Sequence, residues 1–417
     1  MYYLIFFIVL SIAYQLHVQT IFAYFGFRDE ISYVNLFVSV VALLLIALFN
    51  RFAQKYNKSD VAEFYRQILF CFVLVPFSVL ASFGGVALLN LFVVQIACII
   101  VVIFSVLKIK NRIRLSHKTT LFVLWAVLFV CIVAFIDMLS SGFNLSLTGV
   151  YEHRELVASE SLSGIRGYIY NWVIKLFIFY IFCFIYLSGK QGYAFVFILA
   201  SSILFFGVTS HKSVVGFALF SMLLVYFYQG DRFRNVKMNI PLAFSFVVVL
   251  LTLGMLINES IFTNLHSAII RRSFVLPAYI TNQYFEFFAE NQLIYLSNSF
   301  FSLLSTYPYS QTAAKLIGVN MGFYGMSANT GFVGTGFMHF GLAGVFVFSI
   351  LAGVFISIAS SFERAGVAPF VVIVITLSPL VGFLTSADLG ASLVTHGLLI
   401  AYVLLFSISS FASKFNR

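Results

Sequence analysis

About a dozen apolar stretches of membrane-spanning length fill most of this 417-residue chain. They run roughly over 2–24, 31–50, 68–84, 86–107, 121–140, 171–188, 192–209, 213–228, 242–258, 333–358, 367–386 and 391–411. A helix needs about 20 residues to cross roughly 30 Å of hydrocarbon, and only helices and closed barrels satisfy their backbone groups there. Runs such as 40–49 are continuously apolar rather than alternating, which argues against a barrel. Hydrophobic residues make up 62% of the chain and charged residues 9%, far too little polar surface for a soluble protein of this length. The expectation is an all-α polytopic membrane protein with about 12 transmembrane helices, one integral membrane domain over residues 1–417.

The few charges orient these segments. One alternating set of loops holds sixteen of the twenty-four Lys and Arg residues. Arg51, Lys55, Lys58 and Arg66 lie in 51–67; Lys108, Lys110, Arg112, Arg114 and Lys118 lie in 108–120; and Arg232, Arg234 and Lys237 lie in 229–241. Lys190, Arg364, Lys414 and Arg417 complete the set. The positive-inside rule makes this side cytoplasmic, and twelve spans put both termini there too. The net charge of +10 is therefore mostly topological, and no nucleic-acid partner is implied. The first stretch lacks a basic n-region and a small-residue cleavage site, so it reads as a retained helix interrupted near His17. Cys71, Cys98, Cys131 and Cys183 all sit in apolar segments without ligand-like spacing and read as packing residues.

The opposite side has two substantial loops, 141–170 and 259–332. The second is dense in aromatics, including Phe274, Tyr279, Tyr284, Phe285, Phe287, Phe288, Tyr295, Phe300 and Phe301, which suggests amphipathic helices along the interface. This side should be poor in cations, yet it holds Arg154, Arg166, Lys212, Arg271 and Arg272. Cations against the rule call for an anionic partner, and a lipid-linked phosphate fits an interfacial position.

The chain has no phosphate-binding Gly loop, no dinucleotide fingerprint, no His-Glu-x-x-His and no Gly-x-Ser-x-Gly. Neither a cofactor nor a metal is expected. Ionisable groups are scarce within the spans, which favours interfacial chemistry over carriage through the bilayer. Arg154 offers a bidentate fork for phosphate, with Glu152, His153 and Glu155 beside it to hold that fork or accept a proton; a solvated loop of ion pairs is the plainer alternative. Arg166 follows at Gly164-Ile-Arg-Gly. In Thr209-Ser210-His211-Lys212-Ser213, a helix starting at the turn would aim its free N–H groups and dipole at an anion, with Lys212 adding charge. Arg271-Arg272 opens the large loop as either a pyrophosphate grip or an interfacial anchor. His339 reads as a general base near neutral pH or as a packed histidine. Glu286, Glu290 and Asp388 are weaker candidates, His266 and His396 read as structural, and Lys175 is expected to snorkel to the interface.

This layout resembles the Wzy-type O-antigen and capsular polysaccharide polymerases, and more distantly the O-antigen ligases. Thr209-Ser-His-Lys-Ser213 is similar to the family's Ser-Arg or Ser-Lys turn, and an arginine at 271–272 opens the large loop. Ser327-Ala-Asn-Thr-Gly331 through Phe340-Gly-Leu-Ala-Gly344 looks like the Asn-x-Gly to Phe-Gly-x-x-Gly passage of those polymerases. Two departures stand out. Arg154 to Gly164 leaves nine intervening residues where some members have ten, and position 212 is Lys where many have Arg.

The resemblance implies a glycosyltransferase-C-like polytopic fold in the bacterial inner membrane, with its active site facing the periplasm. The implied reaction transfers a growing glycan from undecaprenyl pyrophosphate to the sugar of an incoming lipid-linked repeat unit. Arg154, Arg166, Lys212, Arg271 and Arg272 would bind the substrate pyrophosphate, and His211, Glu152 or His339 would serve as base. The expected partners are these undecaprenyl-pyrophosphate-linked oligosaccharides, the lipid bilayer and a chain-length regulator.

Overall fold

The computed structural model describes residues 1–111, 115–140, 142–145, 164–229, 239–298 and 306–415. Glu152, His153, Arg154 and Glu155 lie outside the described residues, as do Arg112, Arg114, Arg232, Arg234, Lys237, Phe300, Phe301 and Arg417. The described residues are helical and contain no strand. In chain order the apolar helices of the first part are α1 (Tyr2–Ile21), α2 (Tyr33–Tyr56), α3 (Asp60–Ser82), α4 (Leu88–Ser105), α5 (His117–Leu139), α6 (Ile165–Leu187), α7 (Gln191–Thr209), α8 (Lys212–Tyr228) and α9 (Ile240–Ile257). The large loop contributes α10 (Glu259–His266), the π-helix α11 (Ser267–Val275), α12 (Leu276–Glu290) and α13 (Ala313–Asn320). The last three are α14 (Phe332–Arg364), α15 (Pro369–Thr385) and α16 (Ala391–Phe411).

Ten of these helices are long and apolar enough to cross a membrane, and α8 and α15 are shorter apolar helices. Ten spanning-length helices therefore stand against the twelve spans expected from sequence, and the two shorter apolar helices lie at the other two expected stretches. Polar caps set several starts. Ser59 Oγ accepts from the Ala62 N–H at 3.1 Å, Ser116 Oγ from Thr119 at 3.1 Å, and the Asn239 and Asn258 side chains from Leu242 and Ile261, both at 3.2 Å. In α1 a π-turn over Tyr14–Val18 contains His17, the position where the sequence suggested an interruption.

Three expectations are corrected. The linker expected over 51–67 shrinks to 57–59, because the Ser59 cap with Asp60 and Glu63 in the first turn starts α3 early. Arg66 is consequently no loop cation: it is fully buried on α3, where Nη1 donates to Ser105 Oγ at 3.3 Å. The span expected over 333–358 is two helices, since Phe340 leaves the helical region (φ −141°) and Gly341 takes a left-handed φ of +59°. A Cβ on Gly336 or Gly344 would meet the other's backbone at 2.8 or 1.9 Å, so only glycines permit this close fold-back.

The chain groups into two compact units. Unit 1 comprises Met1–Lys108, Asn239–Ser357 and Val381–Leu389. Its π-helix α11 is pinned by Phe274, whose ring meets Phe6 (5.3 Å), Phe72 (5.0 Å) and Phe244 (5.3 Å) from α1, α3 and α9. A second cluster of Ile280, Tyr284, Phe288, Ile317, Ala328 and Met338 joins α12 and α13 to the short helix before the kink. Unit 2 comprises Ile109–Met238, Ile358–Leu380 and Gly390–Arg417. There Phe184 stacks on Phe411 (4.3 Å), Tyr186 meets Phe370 (5.2 Å), and the Tyr180 hydroxyl bonds Ser407 Oγ at 2.7 Å.

Candidate functional site

In unit 1 the segment 326–331 lies across α12 and α13. The Ala328 N–H donates to the Ala314 carbonyl at 2.9 Å, the Tyr284 hydroxyl to the Ala328 carbonyl at 3.0 Å, and Thr281 and Thr330 share a hydroxyl bond at 2.8 Å. Beside it opens a cavity of about 460 Å³. Thr312, Ser327, Asn329, Thr330, Thr335 and Ser386 line it with hydroxyls and an amide, and Tyr284 and Tyr307 add aromatic walls. Asn298 and Asp388 complete its polar lining. No Lys or Arg stands among the described lining residues. Burial, with the Asp388 charge nearby, pushes the Tyr284 phenol up, so it remains a protonated donor.

Asp388 is the one carboxylate among the described lining residues, with a side chain 15% exposed. Its Oδ1 accepts from the Leu389 N–H at 2.7 Å and from His339 Nε2 at 3.0 Å, while Oδ2 accepts from Asn298 Nδ2 at 3.2 Å. His339 is fully buried at the end of the short helix. Its Nδ1 accepts from the Leu296 N–H at 3.0 Å, so the proton sits on Nε2 and is donated to Asp388. Both ring nitrogens are thus committed, and neither faces the cavity as a free base. This is the arrangement of the packed-histidine alternative: the imidazole bonds Asp388, and the carboxylate is what lines the cavity. Tyr295 and Leu296 adopt left-handed φ values of 50° and 63° to aim their N–H groups at His339, a backbone cost of roughly 1–2 kcal/mol each.

Arg271 forms a second centre of unit 1. It is 6% exposed, its Nε donates to Ser267 Oγ at 3.0 Å, and its guanidinium lies over Phe22 (4.3 Å) and Phe25 (4.8 Å). Phe25 is backed in turn by Phe323 at 4.3 Å. Burial lowers the affinity of this guanidinium for its proton, yet an arginine stays charged in proteins. The two rings and Ser267 hold the guanidinium in place, with no other hydrogen-bond partner for it among the described residues. Arg272, next in the chain, is exposed, so the double arginine is one inward and one outward cation. Close by, His17 and His266 meet edge to face at 5.1 Å, both with an unpartnered Nε2, and burial lowers the His266 pKa to about 4.

Unit 2 holds Arg166 and Lys212. Arg166 Nε stands 4.0 Å from Asp137 Oδ2, the oxygen to which the Tyr170 hydroxyl donates. Lys212 is exposed and begins α8, as the turn suggested. Ser210 ends α7 in a left-handed conformation (φ 54°), and Thr209 Oγ1 accepts from the half-buried His211 N–H at 3.3 Å. The Asn144 N–H, from the start of the first large loop, donates to the Gly207 carbonyl on the last turn of α7 at 2.7 Å. Lys175 Nζ is 2.8 Å from His396 Nδ1, each residue on or beside a π-turn.

Asp388 was ranked low in sequence because it stands alone between apolar runs, 49 residues from the histidine that bonds it. Asn298 carried no signal. Asn329 and Thr330 did, within the Asn-x-Gly passage. Among the described residues no group of three or more His, Cys, Asp or Glu residues could hold a metal ion. No protein-family profile, curated protein or solved structure matches the chain.

Proposed function

We propose that the protein is a membrane glycosyltransferase that polymerises lipid-linked oligosaccharide repeat units, working on the periplasmic face of a bacterial inner membrane with both termini cytoplasmic. The donor is a growing glycan on undecaprenyl pyrophosphate, and the acceptor is a sugar hydroxyl of an incoming lipid-linked repeat unit. The observation that carries this reading is the hydroxyl- and amide-lined cavity whose described lining includes one carboxylate, Asp388. A sugar offers hydroxyls for Thr, Ser and Asn partners and an apolar face for Tyr284 and Tyr307, whereas a bare phosphate would need cations, and the described lining has no Lys or Arg.

In the proposed reaction Asp388 accepts the proton of the acceptor hydroxyl as its oxygen attacks the anomeric carbon of the donor. The bond from that carbon to pyrophosphate breaks, and the electron pair leaves with the carrier pyrophosphate. Charge developing there needs preorganised donors, a role suited to the stacked Arg271 fork. His339 and Asn298 hold the carboxylate in place. Arg272, Arg166 and Lys212 remain proposed phosphate contacts, each on its own exposed position. His211 and Glu152 are no longer needed as bases in this scheme. A chain-length regulator remains a proposed partner.

The test is the glycan profile of cells lacking the gene, rescued by wild type or by Asp388→Asn. The polymerase reading expects single capped repeat units in the null strain, a restored ladder with wild type and no ladder with a normally expressed Asp388→Asn. Full-length polymer stranded on its carrier would mean a ligase, and repeat units trapped on the inner leaflet would mean a flippase.

A further inference from the structure

Unit 2 contains a separate groove of about 600 Å³ along α5 and α6. Phe129, Val133, Ile136 and Ile169 form its walls, and Asp137, Arg166 and Tyr170 close one end. The α5 positions are spaced i, i+4 and i+7, so they share one face, and Phe129, Val133 and Ile136 are 67%, 48% and 63% exposed. An apolar stripe on a spanning helix ordinarily faces lipid tails. Here the stripe is concave, and a guanidinium stands at its head.

The charges at that head are arranged asymmetrically. Asp137 Oδ2 takes the Tyr170 hydroxyl, and Arg166 is only at ion-pair distance from the same oxygen. The Arg166 side chain is 64% exposed and has no hydrogen bond to a described residue. Its fork is therefore presented outward at the end of an apolar trough. The matching ligand is one long hydrocarbon chain ending in a phosphate: the chain fills the trough and the phosphate meets the fork. A two-chain phospholipid would leave one tail outside a single groove.

We infer that this groove seats the isoprenoid chain of the incoming repeat unit's carrier lipid, which keeps its phosphate in the reaction, with that phosphate on Arg166; the identity of that lipid rests on the polymerase reading. The test uses full-length protein in nanodiscs of phosphatidylethanolamine and phosphatidylglycerol, and a polyprenyl pyrophosphate with a photoreactive group in its chain. Label is expected on the peptides containing 129–137 and 166–170, displaced by unlabelled polyprenyl phosphate but not by tenfold excess phosphatidylglycerol. Val133→Trp, and independently Ile169→Trp from the facing helix, should cut labelling at least fivefold with unchanged melting. Arg166→Gln should weaken the apparent affinity about tenfold. Label elsewhere, label indifferent to both tryptophans, or equal displacement by phosphatidylglycerol would overturn the assignment.

A parallel polymerisation assay separates the two claims. Labelling here without polymerisation keeps the groove and sinks the polymerase. Normal polymerisation by Val133→Trp with no effect on labelling sinks the groove alone.

Discussion

The sharpest consequence of the proposed reaction concerns which of two bonded side chains acts as base. Asp388→Asn keeps shape and nearly all hydrogen bonds. Its amide oxygen still accepts from His339 Nε2 and the Leu389 N–H, and Asn298 can turn its own amide to accept from the new NH₂. Three bonds lose charge assistance, about 1–2 kcal/mol in all, offset in part because a carboxylate no longer has to be desolvated. The expected stability change is therefore within about 1 kcal/mol. Losing a general base costs about 10²–10⁴ in rate, roughly 3–5 kcal/mol of transition-state stabilisation.

His339→Gln is the matching control. A glutamine offers one acceptor for the Leu296 N–H and one donor for Asp388, but it loses the ring's contacts with Phe340 and Phe348 at 6.2 and 5.8 Å. It should cost about 1–3 kcal/mol of stability and less than tenfold in rate. The assay is elongation of a lipid-linked repeat unit by purified protein in proteoliposomes, read as the initial rate of ladder growth beside thermal unfolding. The reasoning fails if folded Asp388→Asn keeps more than a tenth of the wild-type rate. It also fails if His339→Gln falls a hundredfold with unchanged melting, since the imidazole would then be the base.

Other predictions follow from local geometry. Arg271→Lys should lower elongation by at least tenfold in kcat with little change in stability, because an ammonium keeps the charge but loses both the stack on Phe22 and Phe25 and the bidentate fork; Phe22→Leu should act in the same direction more weakly. Gly331→Ala should abolish folded protein in a fluorescence size-exclusion assay, because its Cβ would stand 2.3 Å from the Leu384 carbonyl oxygen, which is backbone and cannot swing aside. His266 has a folded pKa near 4, below its unfolded value, so the unfolded chain binds more protons between those values and stability falls as pH drops through about 6.5. From pH 7 to pH 5 the loss should be about 1–2 kcal/mol in a denaturation series, and His266→Gln should flatten that dependence.

Much of the architecture was legible because long apolar segments leave a direct trace: of twelve expected stretches, ten coincide with helices long and apolar enough to cross a membrane and two with shorter apolar helices. Boundaries came within a few residues where a polar cap preceded the run, as at Ser116, whose helix starts at His117 against the expected 121, and were misread by more at Ser59, where charged residues belong to the helix itself. Arg66 shows the limit. Counting it as a loop cation fits the charge pattern, yet its helix carries it fully inside. The kink was foreshadowed by the glycines at 336, 341 and 344, but their meaning depends on a backbone-to-backbone approach that no linear pattern states.

The site was legible in part, for a similar reason. Arg271 and Lys212 stood out because they violate a topological rule. His339 stood out by residue type, but its role depends on the Leu296 N–H and on Asp388, which come from segments 43 and 49 residues away. Residues marked by local sequence were found, whereas partners brought in by the fold-back of the chain were not. The cavity lining of Thr312, Thr335 and Ser386 belongs to that second kind.

The most direct test of the central claim is to supply the purified protein with one defined repeat unit on undecaprenyl pyrophosphate and weigh the products. A polymerase gives glycans of two, three and more repeats on a single carrier, with one undecaprenyl pyrophosphate released for every bond formed. A repeat unit that stays single in the presence of folded protein, whether unmoved or carried intact across the bilayer, would contradict the account.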